Sequence, residues 1–184
     1  MTIRIGPTLL ELVEGNIADQ DTDAVVTAAH WDLRGGQGTD GAIHGQAGPE
    51  LLRECASIGG CPIGGAVITR GYALRARHVI HAVGPVWDRG RMHEAELLAS
   101  AYEESLLLAA KSGLRSISFP SLSTGAFGYP MQLAAPIAIR TIVDFLGRGA
   151  HGLALVRVVL YPRESHRAFA IYADALRAVT ATRR

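Results

Sequence analysis

The sequence predicts an α/β protein folded as a three-layer α/β/α sandwich. Short apolar strand patterns alternate along the chain with longer helical patterns, and no repeat or low-complexity linker interrupts the alternation. The length of 184 residues, of which 48% are hydrophobic and 19% charged, suits one globular domain with its own core. We therefore expect a single domain over residues 1–184, with functional loops at the carboxyl ends of its strands.

Four strands are predicted in the first half of the chain. Leu9–Val13 is a short β-like run, and Ala24–Ala28 (AVVTA) has the apolar, β-branched character of a buried strand. Ala66–Thr69 and Val79–Val83 are the other two. A glycine-rich loop over residues 31–38 follows the strand Ala24–Ala28.

A helical pattern continues from that loop. It runs from Thr39 to about Glu54, and either Thr39 or Asp40 can cap it. Because Gly48-Pro49 interrupts the pattern, we expect two short helices in this stretch.

The second half of the chain continues the alternation of helices and strands. Glu94–Lys111 is a strongly periodic helix that Gly113 ends. The short strand Ile117–Phe119 follows, and then a loop of small residues over Ser121–Tyr129.

A third helix–strand–helix run completes the chain. Pro130 suits the first turn of a helix that extends to about Leu146. Pro136 either kinks that helix or marks its true start. Leu155–Tyr161 is then a strand and Ser165–Val179 the final helix.

Composition excludes several classes of function. Eighteen basic and seventeen acidic residues give a net charge of +1, which argues against binding that relies on nucleic-acid phosphates. No apolar run approaches the roughly 20 residues of a membrane span. The N-terminus lacks the pattern of a signal peptide, so we expect a cytoplasmic protein that does not engage membranes.

The cysteines and paired histidines predict structural roles. Cys55 and Cys61 do not form a CxxC pair, and we expect two reduced thiols near a helix end. His78 and His81 flank a predicted strand and are expected to be structural. With no metal-ligand spacing in the sequence, we expect no metal ion.

Two loops stand where ligands bind in α/β sheets. Residues 31–38 and 121–129 each follow a strand, precede a helix and are rich in glycine and small residues. Two helix N-termini with free N–H groups form a cradle suited to a diphosphate. The segment 36–41 also matches GxGxxG, but it starts about seven residues after its strand and no acidic residue ends the next one. A nicotinamide-dependent enzyme is therefore a weaker alternative.

Asp40 and His44 are an unusual pair for such a cradle. They lie four residues apart, so they share one helix face at the phosphate end. A carboxylate beside a bound phosphate weakens binding, which argues for a task such as aligning or deprotonating water. Helix capping is the competing explanation for Asp40, and spacing alone favours it.

The motifs around this pair resemble a known family. The stretch TDAVVTAAHWDLRGGQGTDGAIHGQAGPELLREC is similar to the macrodomain pattern, and the similarity continues through GCPIGGAVITRGYALRARHVIHAVGPVW and SISFPSLSTGAFGYP. It covers about residues 12–162 and is strongest toward MacroD-like ADP-ribosyl hydrolases. The resemblance implies a central mixed sheet and a site for ADP-ribose.

The resemblance also implies which residues contact ADP-ribose. Asn16 and Ile17 would contact adenine, with Asn16 in place of the family's aspartate, and Tyr161 would stack on the ring. Phe127 would pack against the distal ribose. The two phosphate-binding loops would be formed by Gly36, Gln37, Gly38 and Thr39 and by Ser123, Thr124, Gly125, Ala126, Phe127 and Gly128.

For catalysis, the resemblance implies that Asp40 is the acting carboxylate and that His44 supports it. Two departures affect the same region. The family's NAAN is TAAH here, which puts His30 where an asparagine usually holds the distal ribose, and GGGG is GGQG, which puts Gln37 beside the diphosphate or the distal ribose. Histidine can donate to a hydroxyl and can act as an acid or base near neutral pH.

The expected function is therefore that of a cofactor-free ADP-ribosyl hydrolase, acting as a monomer. It would cleave the bond between the distal ribose and a protein carboxylate, an O-acetyl group or a nucleic-acid base. The alternative is a reader module that binds ADP-ribose without turnover.

Overall fold

A computed structural model describes residues 1–162 and 165–181 of the protein. The described strands are β1 (Thr2–Ile5), β2 (Thr8–Glu14), β3 (Ala24–Ala28), β4 (Ala66–Arg70), β5 (His78–Ala82), β6 (Ser116–Phe119) and β7 (Leu155–Leu160). The described α-helices are α1 (Gly38–Ala47), α2 (Pro49–Ile58), α3 (Glu94–Lys111), α4 (Met131–Gly147) and α5 (Ser165–Ala181).

The strands form one mixed sheet in the order β1-β2-β7-β6-β3-β5-β4. The inner neighbours pair in parallel, whereas β1 and β4 run antiparallel to β2 and β5. The α/β class and the mixed sheet are therefore confirmed. The parallel strands end at a common edge, and that edge carries the site.

Helices cover both faces of the sheet and complete the three layers. Ala24 and Val26 of β3 join the core cluster that contains residues of α3, α4 and α5. Val25, between them, joins the cluster that contains Ile43 and Leu51 of α1 and α2. Successive side chains of a strand point to opposite faces, so a strand between two helical layers is apolar at every position. This explains why AVVTA lacks polar alternation.

Two elements near the N-terminus are absent from the prediction. β1 is a four-residue edge strand with a single neighbour, and its TIRI pattern is half exposed. A 3-10 helix at Ile17–Asp19 follows β2, and the Asn16 side chain accepts a hydrogen bond from the N–H of Ala18 at its start. The other strands lie within two residues of their expected bounds, although Val83 and Tyr161 fall just outside β5 and β7.

The predicted break near Gly48 is confirmed, but the predicted caps of the first helix are wrong. Gly48, at φ 91°, separates α1 from α2, and Pro49 occupies the first turn of α2. The N-cap of α1 is Gln37, so Thr39 and Asp40 both lie inside the helix. Asp40 does not cap it because its Oδ1 accepts a hydrogen bond from Thr27 instead.

α4 contains Pro136 in its interior, so the expectation that this proline marks the start of the helix is wrong. The helix begins at Met131, with Pro130 as its N-cap and not in its first turn. Pro136 leaves the carbonyl of Gln132 without its usual donor, and Gln132 is exposed, so water can satisfy that carbonyl.

Both cysteines are free and buried, as expected from their spacing. In residues 1–162 and 165–181, no helix combines the length and apolar character needed to cross a membrane.

Candidate active site

A cavity of about 890 Å³ opens at the carboxyl ends of the parallel strands. Residues that follow β2, β3, β6 and β7 line it, which is the position expected from the strand–loop–helix patterns. Its volume lies in the range of small-molecule and cofactor sites. The predicted residues that line it are Asn16, Ile17, His30, Gly36, Gln37, Gly38, Thr39, Asp40, Ser123, Thr124, Gly125, Ala126, Phe127 and Tyr161.

Two predicted site residues do not line the cavity. Gly128 instead closes the second loop, where its N–H donates to the carbonyl of Gly125 at 2.9 Å. His44 lies behind the first loop, and a methyl group on Gly35 would touch its ring at 3.5 Å. From this position His44 can influence a ligand only through other residues.

The first loop (residues 31–38) lines the cavity and leads into the N-terminus of α1. α1 begins at Gly38, and the first N–H groups of a helix have no earlier carbonyl within the helix to donate to. The loop also packs against its own helix, because a methyl group on Gly41 would lie only 2.7 Å from the carbonyl oxygen of Gly36. The position of the loop is therefore set by the closeness of α1.

The second loop (residues 121–129) is held by its own hydrogen bonds. The Thr124 hydroxyl donates to the carbonyl of Ser121 at 3.0 Å, and the N–H of Tyr129 donates to the carbonyl of Ser123 at 3.0 Å. Ser123 adopts the left-handed conformation at φ 63° and its buried Oγ has no hydrogen-bond partner among the described residues. A methyl group on Gly84 would collide with this oxygen, so the hydroxyl is turned toward Gly84, which does not line the cavity.

Asp40 is the buried carboxylate of the cavity. It is 4% exposed, and its Oδ1 accepts a hydrogen bond of 2.7 Å from the hydroxyl of Thr27 in β3. Its Oδ2 faces the first loop, because a methyl group on Gly36 would lie 3.4 Å away. Burial raises the pKa of Asp40, although the Thr27 hydrogen bond and the nearby His44 act in the opposite direction. The carboxylate is thus a stronger base than an exposed one.

His44 lies next to Asp40 but is not closely bonded to it. The distance from His44 Nε2 to Asp40 Oδ1 is 3.7 Å, and this nitrogen has no hydrogen-bond partner among the described residues. The His44 ring also lies 6.0 Å, between centroids, from the ring of His81. His44 therefore lies between Asp40 and the buried ring of His81.

His44, Cys55 and His81 form a group of potential metal ligands that the sequence did not indicate. Their ligand atoms all lie within 4.8 Å of one another. Burial raises the pKa of the Cys55 thiol to about 11 and lowers that of His81 to about 3. The thiol is protonated near neutral pH, whereas a metal needs the thiolate, and His81 Nε2 is already 2.9 Å from the hydroxyl of Thr69. The group therefore suits packing beneath Asp40 better than metal binding.

His30 lines the cavity from the entrance of the first loop. Its Nδ1 lies 2.9 Å from Oδ1 of Asp32, and its side chain is 48% exposed. The ring meets Phe127 of the second loop edge-on, with centroids 6.5 Å apart. The hydrogen bond to His30 is the main cause that lowers the pKa of Asp32, so an ionised carboxylate orients the imidazole.

The far end of the cavity contains the residues expected to contact adenine. The Asn16 Oδ1 accepts from the N–H of Ala18 at 3.0 Å, and that oxygen keeps a second lone pair. Ile17 is buried beside it. Tyr161 follows β7 and is 58% exposed, which leaves its ring face open to the cavity.

Sequence reasoning missed Thr27 and Asp32 as site residues. Thr27 is the one hydroxyl in the apolar run AVVTA, and that exception is a signal. Asp32 lies two residues after His30, but this spacing by itself does not predict a hydrogen bond.

Comparison with known proteins agrees with this geometry. A family model described as "Macro domain" matches residues 26–138. The O-acetyl-ADP-ribose deacetylase of Salmonella newport is 48% identical over 165 residues, which span 88% of this chain and 92% of that protein.

Solved structures share the fold along nearly the whole chain. The Oceanobacillus iheyensis macrodomain with ADP is 41% identical, with a TM-score of 0.93 over 99% of this chain and 97% of that one. The Trypanosoma brucei macrodomain in complex with ADP-ribose is 40% identical, with a TM-score of 0.83 over 91% of this chain and 68% of that one.

Proposed function

The chain belongs to the Macro domain family, as its sequence motifs predicted. From this premise we propose that it binds ADP-ribose and hydrolyses the bond that joins the distal ribose to an attached group. The observation that carries the proposal is the buried carboxylate of Asp40, held by Thr27 on the wall of the cavity.

Binding of the diphosphate rests on the two loops. The N-terminus of α1 offers free N–H groups and the positive end of the helix dipole. The second loop lines the cavity with Ser123, Thr124 and Gly125. With the diphosphate between the loops, Tyr161 and Ile17 would take the adenine and Phe127 the distal ribose.

Hydrolysis would depend on Asp40. A negative side chain near a diphosphate costs affinity, so a site built only for binding has no use for one. Burial raises the pKa of Asp40, which improves it as an acceptor of a proton from water. The water would attack the anomeric carbon when a carboxylate leaves, through an oxocarbenium-like transition state. It would attack the acyl carbon when the substrate is an ester on a ribose hydroxyl.

Supporting roles would fall to three further residues. His44 would steady Asp40 from behind the loop, since it does not reach the cavity. His30 and Gln37 would position the distal ribose in place of the asparagine and glycine that are usual in the family. The relatives named O-acetyl-ADP-ribose deacetylase favour an acyl group among the substrates.

The test combines binding with turnover. Isothermal calorimetry with free ADP-ribose should detect binding, and incubation with O-acetyl-ADP-ribose, an ADP-ribosylated glutamate peptide and an ADP-ribosylated oligonucleotide should release product from at least one. Asp40→Asn should bind ADP-ribose at least as tightly as the wild type, because it removes a negative charge near the diphosphate, and it should lower kcat by about 10²–10⁴-fold. Asp174→Asn, on the exposed surface of α5, is the matched control.

Two results would change the assignment. Tight binding without any product release would make the protein a reader of ADP-ribosylation. Equal turnover by Asp40→Asn and by the wild type would remove Asp40 from the mechanism.

A further inference from the structure

We propose that His30 and Asp32 form an acid–base dyad that protonates the leaving oxygen when the substrate is an O-acyl ester of the distal ribose. This proposal rests on the proposed function, because it needs ADP-ribose bound in the cavity with Asp40 activating the water. The dyad adds a second acid–base group to the cavity. Asp40 is buried, whereas His30 is half exposed.

The geometry is that of an oriented imidazole. The Nδ1 of His30 lies 2.9 Å from the carboxylate of Asp32, so the hydrogen bond fixes the ring and places a proton on Nδ1. Nε2, on the other side of the ring, is then the nitrogen available to a bound substrate. The edge-on contact with Phe127, whose proposed role is to pack against the distal ribose, limits rotation of the ring.

Leaving-group chemistry explains what this dyad would add. A carboxylate departs without help because it is a stable anion. A ribose hydroxyl oxygen departs as an alkoxide unless a proton reaches it in the transition state, and a positioned acid contributes about 10²–10⁴-fold to such a step. The dyad would therefore matter for esters of the ribose and little for ADP-ribosylated carboxylates.

The proposed step balances in atoms and protons. Water attacks the acyl carbon and gives a proton to Asp40, while the bond between the acyl carbon and the ribose oxygen breaks. The Nε2 proton of the imidazolium goes to that oxygen. The products are a carboxylic acid and a free ribose hydroxyl, after which Asp40 loses its proton to solvent and His30 regains one.

Asp32 is the charged group that contacts His30. It holds Nδ1, Arg34 lies 3.7 Å from the second oxygen of Asp32, and Asp40 lines the same cavity. The facing loop, residues 121–129, contains no charged side chain.

The experiment compares two substrates and three variants. His30→Asn should lower kcat on O-acetyl-ADP-ribose by about 100-fold or more. It should lower kcat on an ADP-ribosylated glutamate peptide far less, because asparagine can still hydrogen-bond the distal ribose. Asp32→Asn should lower ester turnover by about tenfold, because it leaves the ring present but less well oriented. His93→Asn is the matched control, since His93 is exposed, lies outside the cavity and has φ 57°, which asparagine tolerates.

The readouts separate the outcomes. His30→Asn should still bind ADP-ribose in calorimetry, since asparagine can also hydrogen-bond the ribose. Equal losses of turnover on both substrates would overturn the dyad and leave His30 a binding residue. Wild-type turnover of the glutamate peptide alone would overturn it too. Binding without turnover of either substrate would refute the proposed hydrolase function itself.

Discussion

Replacing Gly41 with alanine tests whether α1 sets the position of the first loop. A methyl group at Gly41 would lie 2.7 Å from the carbonyl oxygen of Gly36, so that carbonyl must retreat by at least about 0.7 Å to reach ordinary contact near 3.4 Å. The obstacle is backbone rather than the end of a flexible side chain, so the loop itself has to move.

The magnitude follows from two opposing effects. Alanine is favoured over glycine inside a helix by about 1 kcal/mol. Overpacking costs about 1–3 kcal/mol. Gly45→Ala in the same helix has the first effect without the second, because nothing lies within 4 Å of a methyl group there. The two variants should therefore differ by about 1–3 kcal/mol in stability, and each kcal/mol shifts Tm by roughly 2–4 °C at this chain length.

The binding of ADP-ribose should respond more clearly than stability. Moving the loop by about 0.7 Å stretches an N–H···O contact of ordinary length beyond hydrogen-bond range. Loss of one hydrogen bond to a charged phosphate costs about 1.5–3 kcal/mol. This corresponds to a dissociation constant that is roughly tenfold to hundredfold higher. Calorimetry and thermal denaturation of both variants are the assays. If Gly41→Ala binds ADP-ribose as Gly45→Ala does and gains the same Tm, the loop is not positioned by this contact.

Three further changes test other parts of the site. Asp40→Asn should raise the free energy of unfolding at pH 7 by about 0.5–2 kcal/mol in a denaturant titration, because burial disfavours the ionised carboxylate; a loss of stability would contradict this. Ser123→Gly should raise Tm in thermal denaturation, since it relieves the left-handed backbone and removes an unpaired buried hydroxyl, and it should leave ADP-ribose affinity unchanged in calorimetry, because that hydroxyl lies against Gly84; a lower Tm would contradict this. His81 should destabilise the protein in acid, because burial lowers its folded pKa to about 3, below the usual histidine value of 6.5, and the unfolded chain binds the proton first. The contribution should be complete above pH 6.5 and fall by about 1.4 kcal/mol per pH unit down to about pH 3, and His81→Gln should flatten that part of the stability curve.

The elements that the sequence predicted are those whose pattern follows from burial. β3 is apolar at every position except Thr27 because helices lie on both of its faces, and α3 ends at Lys111, two residues before Gly113 at φ 68°. β1 was missed because an exposed edge strand with one neighbour has little need of apolar residues. The cap of α1 was misassigned because Asp40 is a good capping residue by type, and a strand thirteen residues earlier supplies its partner.

In the site, too, the sequence predicts the residues that follow from local patterns and misses those that depend on contacts between distant elements. Loops at strand ends follow from local patterns, so most of the predicted binding residues do line the cavity. The group of His44, Cys55 and His81 beneath Asp40 does not follow from a local pattern. His81 and Cys55 come from β5 and α2 and meet only when the sheet and helix pack. The bond between His30 and Asp32 depends on the exact course of an irregular loop, which no periodicity encodes.

The burial of Asp40 is hard to explain by stability or by binding. Its ionised form is disfavoured by desolvation, and its charge opposes a diphosphate held by the adjacent helix N-terminus. An asparagine could accept the same hydrogen bond from Thr27 without either cost. The carboxylate gains an advantage only where a proton has to be accepted close to the bound phosphates. The penalty built into this position is therefore an argument for turnover, and it is independent of the activity named for any relative.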